Sequence, residues 1–206
     1  MEQLFDKLPV RKLSRGQILI YEGDPVDNIY LLVKGYVKVS YLQQGENRRT
    51  IFVYAPGESF PLTSYLSGVG VTRYFYECMT DSEVKAMPQN QFQELIKGDL
   101  ELGEKLISYT YTLNELFSER IETLTARSAR HKIASVLAFL ADRAGTPADD
   151  KICLNIPLTS QTLADMCNLT RETASLQIQR LKKDGVIKGG RTLTVDSQKL
   201  QKIIAS

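Results

Sequence analysis

The hydrophobic periodicity of this 206-residue sequence changes at Pro88. From about residue 15 to 86, β-branched and aromatic residues recur at every second position in short runs, closed by turn residues such as Pro56 and Gly57. This alternation predicts an antiparallel sandwich or barrel. From Pro88 to about Gly145 the chain has no further proline and only two glycines, and its apolar residues recur at three- and four-residue steps. That spacing predicts helices, so a β domain is followed by helical structure.

The segment 100–124 predicts one helix of about 25 residues and about 37 Å, longer than a small domain needs for its own core. Its apolar residues follow a nearly heptad-spaced seam, which favours packing against the same helix of a second copy. A helix packed entirely within one domain is the alternative. The predicted dimer interface consists of Leu102, Leu106, Tyr109, Leu113, Leu116, Phe117 and Ile121.

Charge is distributed unevenly along the chain. Residues 127–206 hold 13 lysines and arginines against 7 aspartates and glutamates, whereas residues 1–126 hold 13 against 17. Only the second part is therefore expected to meet a polyanion.

Several classes of protein are disfavoured by the composition. The three cysteines are far apart and His131 is the only histidine, so we expect no disulfide framework, metal site or cofactor. No nucleophile–base pair or phosphate-binding loop is evident, which argues against an enzyme. Without a long apolar run or a signal-peptide pattern, a membrane association is not expected and the predicted location is the cytoplasm.

Residues 158–187 contain two short helical patterns, at about 159–167 and 170–183, on either side of a tight turn. Thr159 or Ser160 can cap the first helix and Thr170 the second. Asn168 falls in the turn, where a left-handed backbone is needed. Two short strands around Gly189 follow, and a helix-turn-helix followed by a hairpin is a winged helix-turn-helix.

The second of these helices has two different faces. Ala174, Ile178 and Leu181 form an inner apolar stripe. In a winged helix-turn-helix the first turn of this helix enters the major groove, where arginine can bind guanine and glutamate can accept from cytosine. The alternative is an ordinary surface pair at a helix start, in which the glutamate suits the helix dipole. The opposite, polar face carries Arg171, Glu172, Ser175, Gln179 and Lys182.

"LTSQTLADMCNLTRETASLQIQRLKKDGVI" and the wing "KGGRTLTV" resemble the DNA-binding domain of the CRP/FNR family of bacterial transcription regulators. "IYLLVKGYVKV" and "PGESF" resemble turns of that family's sensor domain. The resemblance implies an α+β two-domain fold: an N-terminal antiparallel β-roll of the jelly-roll, cyclic-nucleotide-binding type (1–97), a long dimerisation helix (98–126) and a C-terminal winged helix-turn-helix (127–206). It implies a homodimeric regulator that reads a palindromic operator in double-stranded DNA through residues 170–183.

The resemblance also assigns contacts. Arg171 and Glu172 fall on base-reading positions, and RNA polymerase is touched in relatives by the loop that corresponds to 144–151. Leu176 stands where some relatives carry a second base-reading arginine, so it could pack on a thymine methyl group instead. In the wing, the two basic residues either contact phosphates or are simply solvated. The phosphate-contact candidates are Thr170, Thr173, Gln161, Lys188 and Arg191.

The sensor half departs from the pattern of cyclic-AMP-binding relatives. Their ribose-binding glutamate falls on Leu62, and their phosphate-binding Arg-Ser pair falls on Thr72 and Arg73. The positive charge that would pair with a buried cyclic phosphate is therefore missing at its expected position. We predict that the protein does not depend on cyclic AMP. Arg73 could serve only after a one-residue slip, which would turn its side chain to the other face of the strand. Tyr74 belongs to an aromatic stretch that could line an apolar pocket or form ordinary core.

The sequence does not identify an effector. An iron–sulfur sensor of this family needs a cysteine cluster near its N-terminus, and a haem sensor needs axial ligands, for which only Cys78 is conceivable. The remaining alternatives are a small-molecule, haem or redox sensor of the same family, and a ligand-sensing module whose winged helix docks on another protein.

Overall fold

The computed structural model describes residues 2–43, 47–190 and 192–206. The backbone divides into two compact units. The first comprises Met1–Tyr41 and Phe52–Leu116, and the second comprises Leu42–Ile51 and Phe117–Ser206. The functional boundaries that the sequence suggests, after residues 97 and 126, stay a prediction.

The first unit is built on two four-stranded sheets. One has the order β1–β8–β3–β6 and the other β2–β7–β4–β5, and the distal ends of β4 and β5 belong to the second unit. The pairings with a recorded register are all antiparallel, as the alternating pattern predicts. The strands are β1 (Val10–Leu13), β2 (Ile18–Ile20), β3 (Asn28–Lys34), β4 (Val37–Gln43), β5 (Asn47–Tyr54), β6 (Ser59–Phe60), β7 (Phe75–Cys78) and β8 (Ser82–Pro88).

Aromatic side chains occupy the interior of this roll. The rings of Phe60 and Tyr76 stack with centroids 5.3 Å apart, and Tyr54 lies 5.1 Å from Phe60. All three are almost fully buried. Burial raises the pKa of the Tyr76 phenol. Tyr54, Phe60 and Tyr76 therefore form core, whereas Tyr41 on β4 is exposed.

A short 3-10 helix (Glu2–Phe5) and three α-helices belong to the described part of the first unit. The α-helices are α1 (Leu62–Leu66), α2 (Gln89–Gly98) and the first part of α3 (Leu100–Thr125). The predicted long helix is confirmed, but the first part of its apolar seam packs within the chain. Leu106 packs with Phe5, Leu62 and Phe92 in one apolar cluster. Leu102 and Leu113 are also buried within the chain.

The predicted dimer interface stays a prediction, but part of it is covered within the single chain. Leu102, Leu106 and Leu113 are 8%, 5% and 2% exposed, so they offer little surface to a second copy. The hydroxyl of Tyr109 accepts a hydrogen bond from the Ser59 backbone N–H at 2.7 Å, so this side chain too is bound to the roll. Leu116 and Phe117 are half-buried, and Ile121 is exposed.

The second unit contains the winged helix-turn-helix. Helix α4 packs against α5, α6 and α7, and a small sheet has the strand order β11–β12–β10–β9. None of the helices in the described part of the chain has the length and apolar character that crossing a membrane requires. The elements are α4 (Ala129–Ala144), β9 (Gly145–Ala148), β10 (Lys151–Leu154), α5 (Ser160–Cys167), α6 (Arg171–Lys183), β11 (Ile187–Gly189), β12 (Leu193–Val195) and α7 (Ser197–Ile204).

Candidate nucleic-acid interface

Side-chain caps define both helices of the helix-turn-helix. The Thr159 hydroxyl accepts from the Thr162 backbone N–H at 3.0 Å, so Thr159 and not Ser160 caps α5. The Thr170 hydroxyl accepts from the Thr173 N–H at 3.2 Å and caps α6. Each cap satisfies one of the N–H groups that the first turn of a helix leaves unpaired.

Asn168 ends α5 in the left-handed conformation, at φ 53° and ψ 48°. The backbone N–H of Leu169 then bonds the Ala164 carbonyl oxygen at 3.0 Å, which closes the turn. Asparagine tolerates this conformation better than most residues with a Cβ atom. The turn therefore directs the chain from α5 into α6 within three residues, as the sequence predicts.

Helix α6 separates its buried and exposed faces as expected, with one difference. Ala174 and Leu181 are fully buried and Ile178 is half-buried. Gln177 is also buried on this side, which the apolar pattern does not predict. On the outer face Ser175 is half-buried and the other polar residues are exposed, as is Leu176 beside them. The exposed polar residues are Arg171, Glu172, Gln179 and Lys182.

The charges of α6 suit both its dipole and an exposed first turn. Glu172 lies in the first turn, and the last turn carries Arg180, Lys182 and Lys183, which is the favourable arrangement at each end. Asp184, just past the helix, is joined to Arg130 of α4 by a 2.8 Å ion pair. The far end of α6 is thus anchored, and its first turn projects an arginine and a carboxylate.

The predicted phosphate-contact residues differ in their exposure and in their hydrogen bonds. Gln161 is exposed, and its Nε2 donates to the Asp165 carboxylate at 2.7 Å. The hydroxyls of Thr170 and Thr173 lie 2.9 Å apart, with Thr173 half-buried. Lys188 is exposed on β11. Arg191 lies outside the described residues.

Arg120 is a residue of this unit whose role the sequence pattern does not predict. It is only 3% exposed on α3. Its guanidinium donates to the carbonyl oxygens of Ile51 at 3.0 Å and Thr50 at 3.2 Å, and to the carbonyl oxygen of Met166 in the last turn of α5. It also donates to the Thr123 hydroxyl. Burial lowers the pKa of this arginine.

A second arginine reaches the same turn. Arg49 on β5 donates through Nη1 to the Leu169 carbonyl oxygen at 3.2 Å and through Nε to the Gln43 side chain at 2.8 Å. Arg120 and Arg49 therefore bind two carbonyl groups at the end of α5 and in the turn. One feature of the sequence could have pointed to this role: Arg120 is an arginine within the apolar stripe of 100–124.

Of the four candidate effector residues, Arg73 and Tyr74 line one cavity, whereas Leu62 and Thr72 do not line it. Leu62 lies in the apolar cluster with Leu106, and Thr72 is buried and accepts from the Tyr74 backbone N–H at 3.2 Å. Arg73 is exposed. A cavity of about 280 Å³ beside α1 is lined by Thr63, Ser64, Ser67, Val69, Val71, Arg73 and Tyr74.

Similarity to known proteins agrees with this geometry. The chain matches the family models of the cyclic nucleotide-binding domain over residues 10–99 and of the Crp-like helix-turn-helix domain over residues 131–203. It is 30% identical over 184 residues to a probable transcriptional activator from Rhizobium leguminosarum bv. viciae, with 86% of this chain and 72% of the relative covered. It is 27% identical over 181 residues to the transcriptional activator protein FnrL from Cereibacter sphaeroides, with 86% and 71% covered.

A solved structure shares the fold over nearly the whole chain. A transcriptional regulator of the CRP/FNR family from Thermus thermophilus superposes with a TM-score of 0.77 at 24% identity, covering 96% of this chain and 99% of the other. The chain belongs to the CRP/FNR family of DNA-binding transcription regulators.

Proposed function

We propose that the protein is a homodimer that recognises a palindromic DNA site through α6, and that it does so without cyclic AMP. The observation that carries this proposal is the exposed first turn of α6. There Arg171 and Glu172 project from a helix whose other face is buried and whose start is fixed by the Thr170 cap. Arginine can donate two hydrogen bonds to guanine and glutamate can accept one from cytosine, so the pair suits a G·C-containing step.

A stripe of exposed apolar residues on α3, which shares only Ile121 with the predicted interface, provides the surface for the second copy. CRP/FNR regulators function as dimers. Leu100, Ile107 and Ile121 are exposed and lie at multiples of seven residues, and Tyr111 lies one turn after Ile107. Large apolar side chains at this spacing suit a helix that packs against its own copy. This surface stripe (Leu100, Ile107, Tyr111 and Ile121) replaces the buried part of the predicted interface.

Independence from cyclic AMP is supported by the residues at the two signature positions. A leucine in the apolar cluster stands where a ribose-binding glutamate is needed, and buried Thr72 stands where the phosphate-binding arginine is needed. A cyclic phosphate that is taken out of water needs a cation to replace its hydration. Added cyclic AMP is expected to leave both the DNA affinity and the melting temperature unchanged.

Two further parts of the family pattern stay proposals for this chain. The hairpin of β9 and β10 carries Asp149 and Asp150 at an exposed tip and is the proposed contact with RNA polymerase, by analogy with relatives. A regulator of transcription has to share a compartment with the DNA that it binds, so we also place this protein in the cytoplasm.

Selection of bound duplexes from a random pool, followed by fluorescence anisotropy with the selected site, tests the DNA-binding proposal. Arg171→Ala is expected to lose discrimination at one position of each half-site by about 1–3 kcal/mol. Wild-type affinity is expected to fall steeply with salt, because each half of the dimer contacts several phosphates.

Arg11→Ala is the matched control, since it removes an exposed arginine from β1 in the other unit. This variant is expected to keep both affinity and base preference. If Arg171→Ala selects the same half-site as the wild-type protein with equal discrimination, the assignment of α6 to the groove is wrong.

A further inference from the structure

Leu176 stands out on the outer face of α6. Its side chain is 47% exposed, although Arg171, Glu172 and Gln179 on the same face are polar. The apolar side of the helix is satisfied elsewhere, by Ala174 and other buried residues. About half of the Leu176 side chain is therefore left accessible, and it offers an apolar surface beside the side chains that are proposed to read bases.

Its position along the helix relates it to the proposed base contacts. Leu176 follows Glu172 by four residues, which is about one helical turn. It follows Arg171 by five residues, or about 7.5 Å along the axis. Base pairs are about 3.4 Å apart, so a helix that brings Arg171 to one base edge brings Leu176 to a base about two steps away.

We propose that Leu176 is a specificity determinant that packs on the 5-methyl group of a thymine in each half-site. Thymine is the base that offers an apolar group in the major groove, where the other base edges present hydrogen-bond donors and acceptors. A leucine cannot replace the hydration of those polar edges, so it disfavours them as well as favouring the methyl group. This inference rests on the proposed DNA-binding function and adds a second base to its half-site.

Replacing single thymines of the selected operator by deoxyuridine tests the proposal, because this change removes only the methyl group. For the wild-type protein, one thymine in each half-site is expected to show a loss of about fourfold in affinity when replaced. Replacement in both half-sites is expected to cost about 15-fold, from the value of one buried methyl group. For Leu176→Ala, the two operators are expected to bind equally.

Leu66→Ala is the control, since Leu66 on α1 is 46% exposed and belongs to the other unit. It is expected to keep the full sensitivity to deoxyuridine. Leu176→Met keeps an apolar side chain and is expected to keep most of that sensitivity.

The outcomes separate this inference from the function on which it rests. If the wild-type protein binds no selected duplex, both are wrong. If it binds and Arg171→Ala loses discrimination, but no thymine is sensitive or Leu176→Ala is equally sensitive, only the assignment of Leu176 is overturned. The second of these results would mean that another residue contacts the methyl group.

Discussion

Replacing Arg120 by methionine removes a buried charge and keeps an unbranched side chain of similar length. In the wild-type chain the guanidinium donates hydrogen bonds to three backbone carbonyl groups, two on β5 and one in the last turn of α5. Each buried carbonyl left without a donor costs about 1–3 kcal/mol. Removing the guanidinium also removes its desolvation penalty, which is several kcal/mol for a buried ion. The partners are neutral, so no unpaired charge is left behind, and the net loss is expected to be about 1–3 kcal/mol.

Arg120→Lys separates the effect of the buried positive charge on stability from the effect of the planar guanidinium shape. Lysine keeps the desolvation penalty, but its single ammonium group cannot span the carbonyl groups that the planar guanidinium joins. We therefore expect it to lose about 2–4 kcal/mol, at least as much as methionine does. Burial lowers the pKa of such a lysine, so the folded state binds fewer protons than the unfolded state near that pKa. Its free energy of unfolding should rise relative to the wild-type value between about pH 7 and pH 10.

Urea unfolding followed by far-UV circular dichroism, at one fixed protein concentration, measures these differences. Arg130→Met is the control. This substitution breaks the ion pair between Arg130 and Asp184, whose side chains are 35% and 46% exposed, respectively. It should lower the free energy of unfolding by less than about 1 kcal/mol. Wild-type stability for Arg120→Met, or a lysine variant more stable than the methionine variant, would refute this account of the guanidinium.

Three further predictions concern other sites. Asn168→Ala should lose about 1 kcal/mol in the same urea experiment because of its positive φ, and Asn168→Gly should lose much less. Ile107→Glu, on the surface stripe of α3, should shift the dimer to monomer in sedimentation velocity, whereas Leu95→Glu on exposed α2 should not. Burial raises the pKa of Cys167 from 9.0 to about 12, so thiol reagents near pH 8 should modify Cys153 and spare Cys167. Because the unfolded thiol ionises first, the contribution of Cys167 to stability should be constant below about pH 9 and fall towards pH 12.

The helix-turn-helix could be predicted from the sequence because short-range interactions define it. The Thr170 cap, the left-handed Asn168 and the strands around Gly189 are all local features, and each is found where the sequence places it. The antiparallel roll could also be predicted, since its alternation follows directly from the geometry of a strand. The first strand, β1, lies before the alternating segment and is missed, because its four residues show only one buried position.

Side-chain direction along α3 could not be predicted in the same way. The helix carries two apolar stripes, one with Leu106 and one with the adjacent Ile107, and spacing alone favours neither as the partner-facing side. The choice depends on which stripe the roll covers, which is a long-range property of the fold. Likewise, the buried position of Gln177 and the contacts of Arg120 depend on elements far away in the sequence.

Two groups of residues in the second unit are expected to affect DNA binding in different ways. One group holds the turn between α5 and α6, and the other lies on the exposed face of α6. Arg120 and Arg49 hold carbonyl groups at the end of α5 and in the turn rather than the exposed face of α6, so their loss should displace the whole helix. Such a variant should weaken binding to every duplex by a similar factor and leave the order of base preferences unchanged. Arg171→Ala and Leu176→Ala should change that order and spare the binding to non-specific DNA, which depends on phosphates. Affinity measured for a panel of single-base operator variants separates the two groups, and a changed base preference in Arg49→Ala would contradict this division.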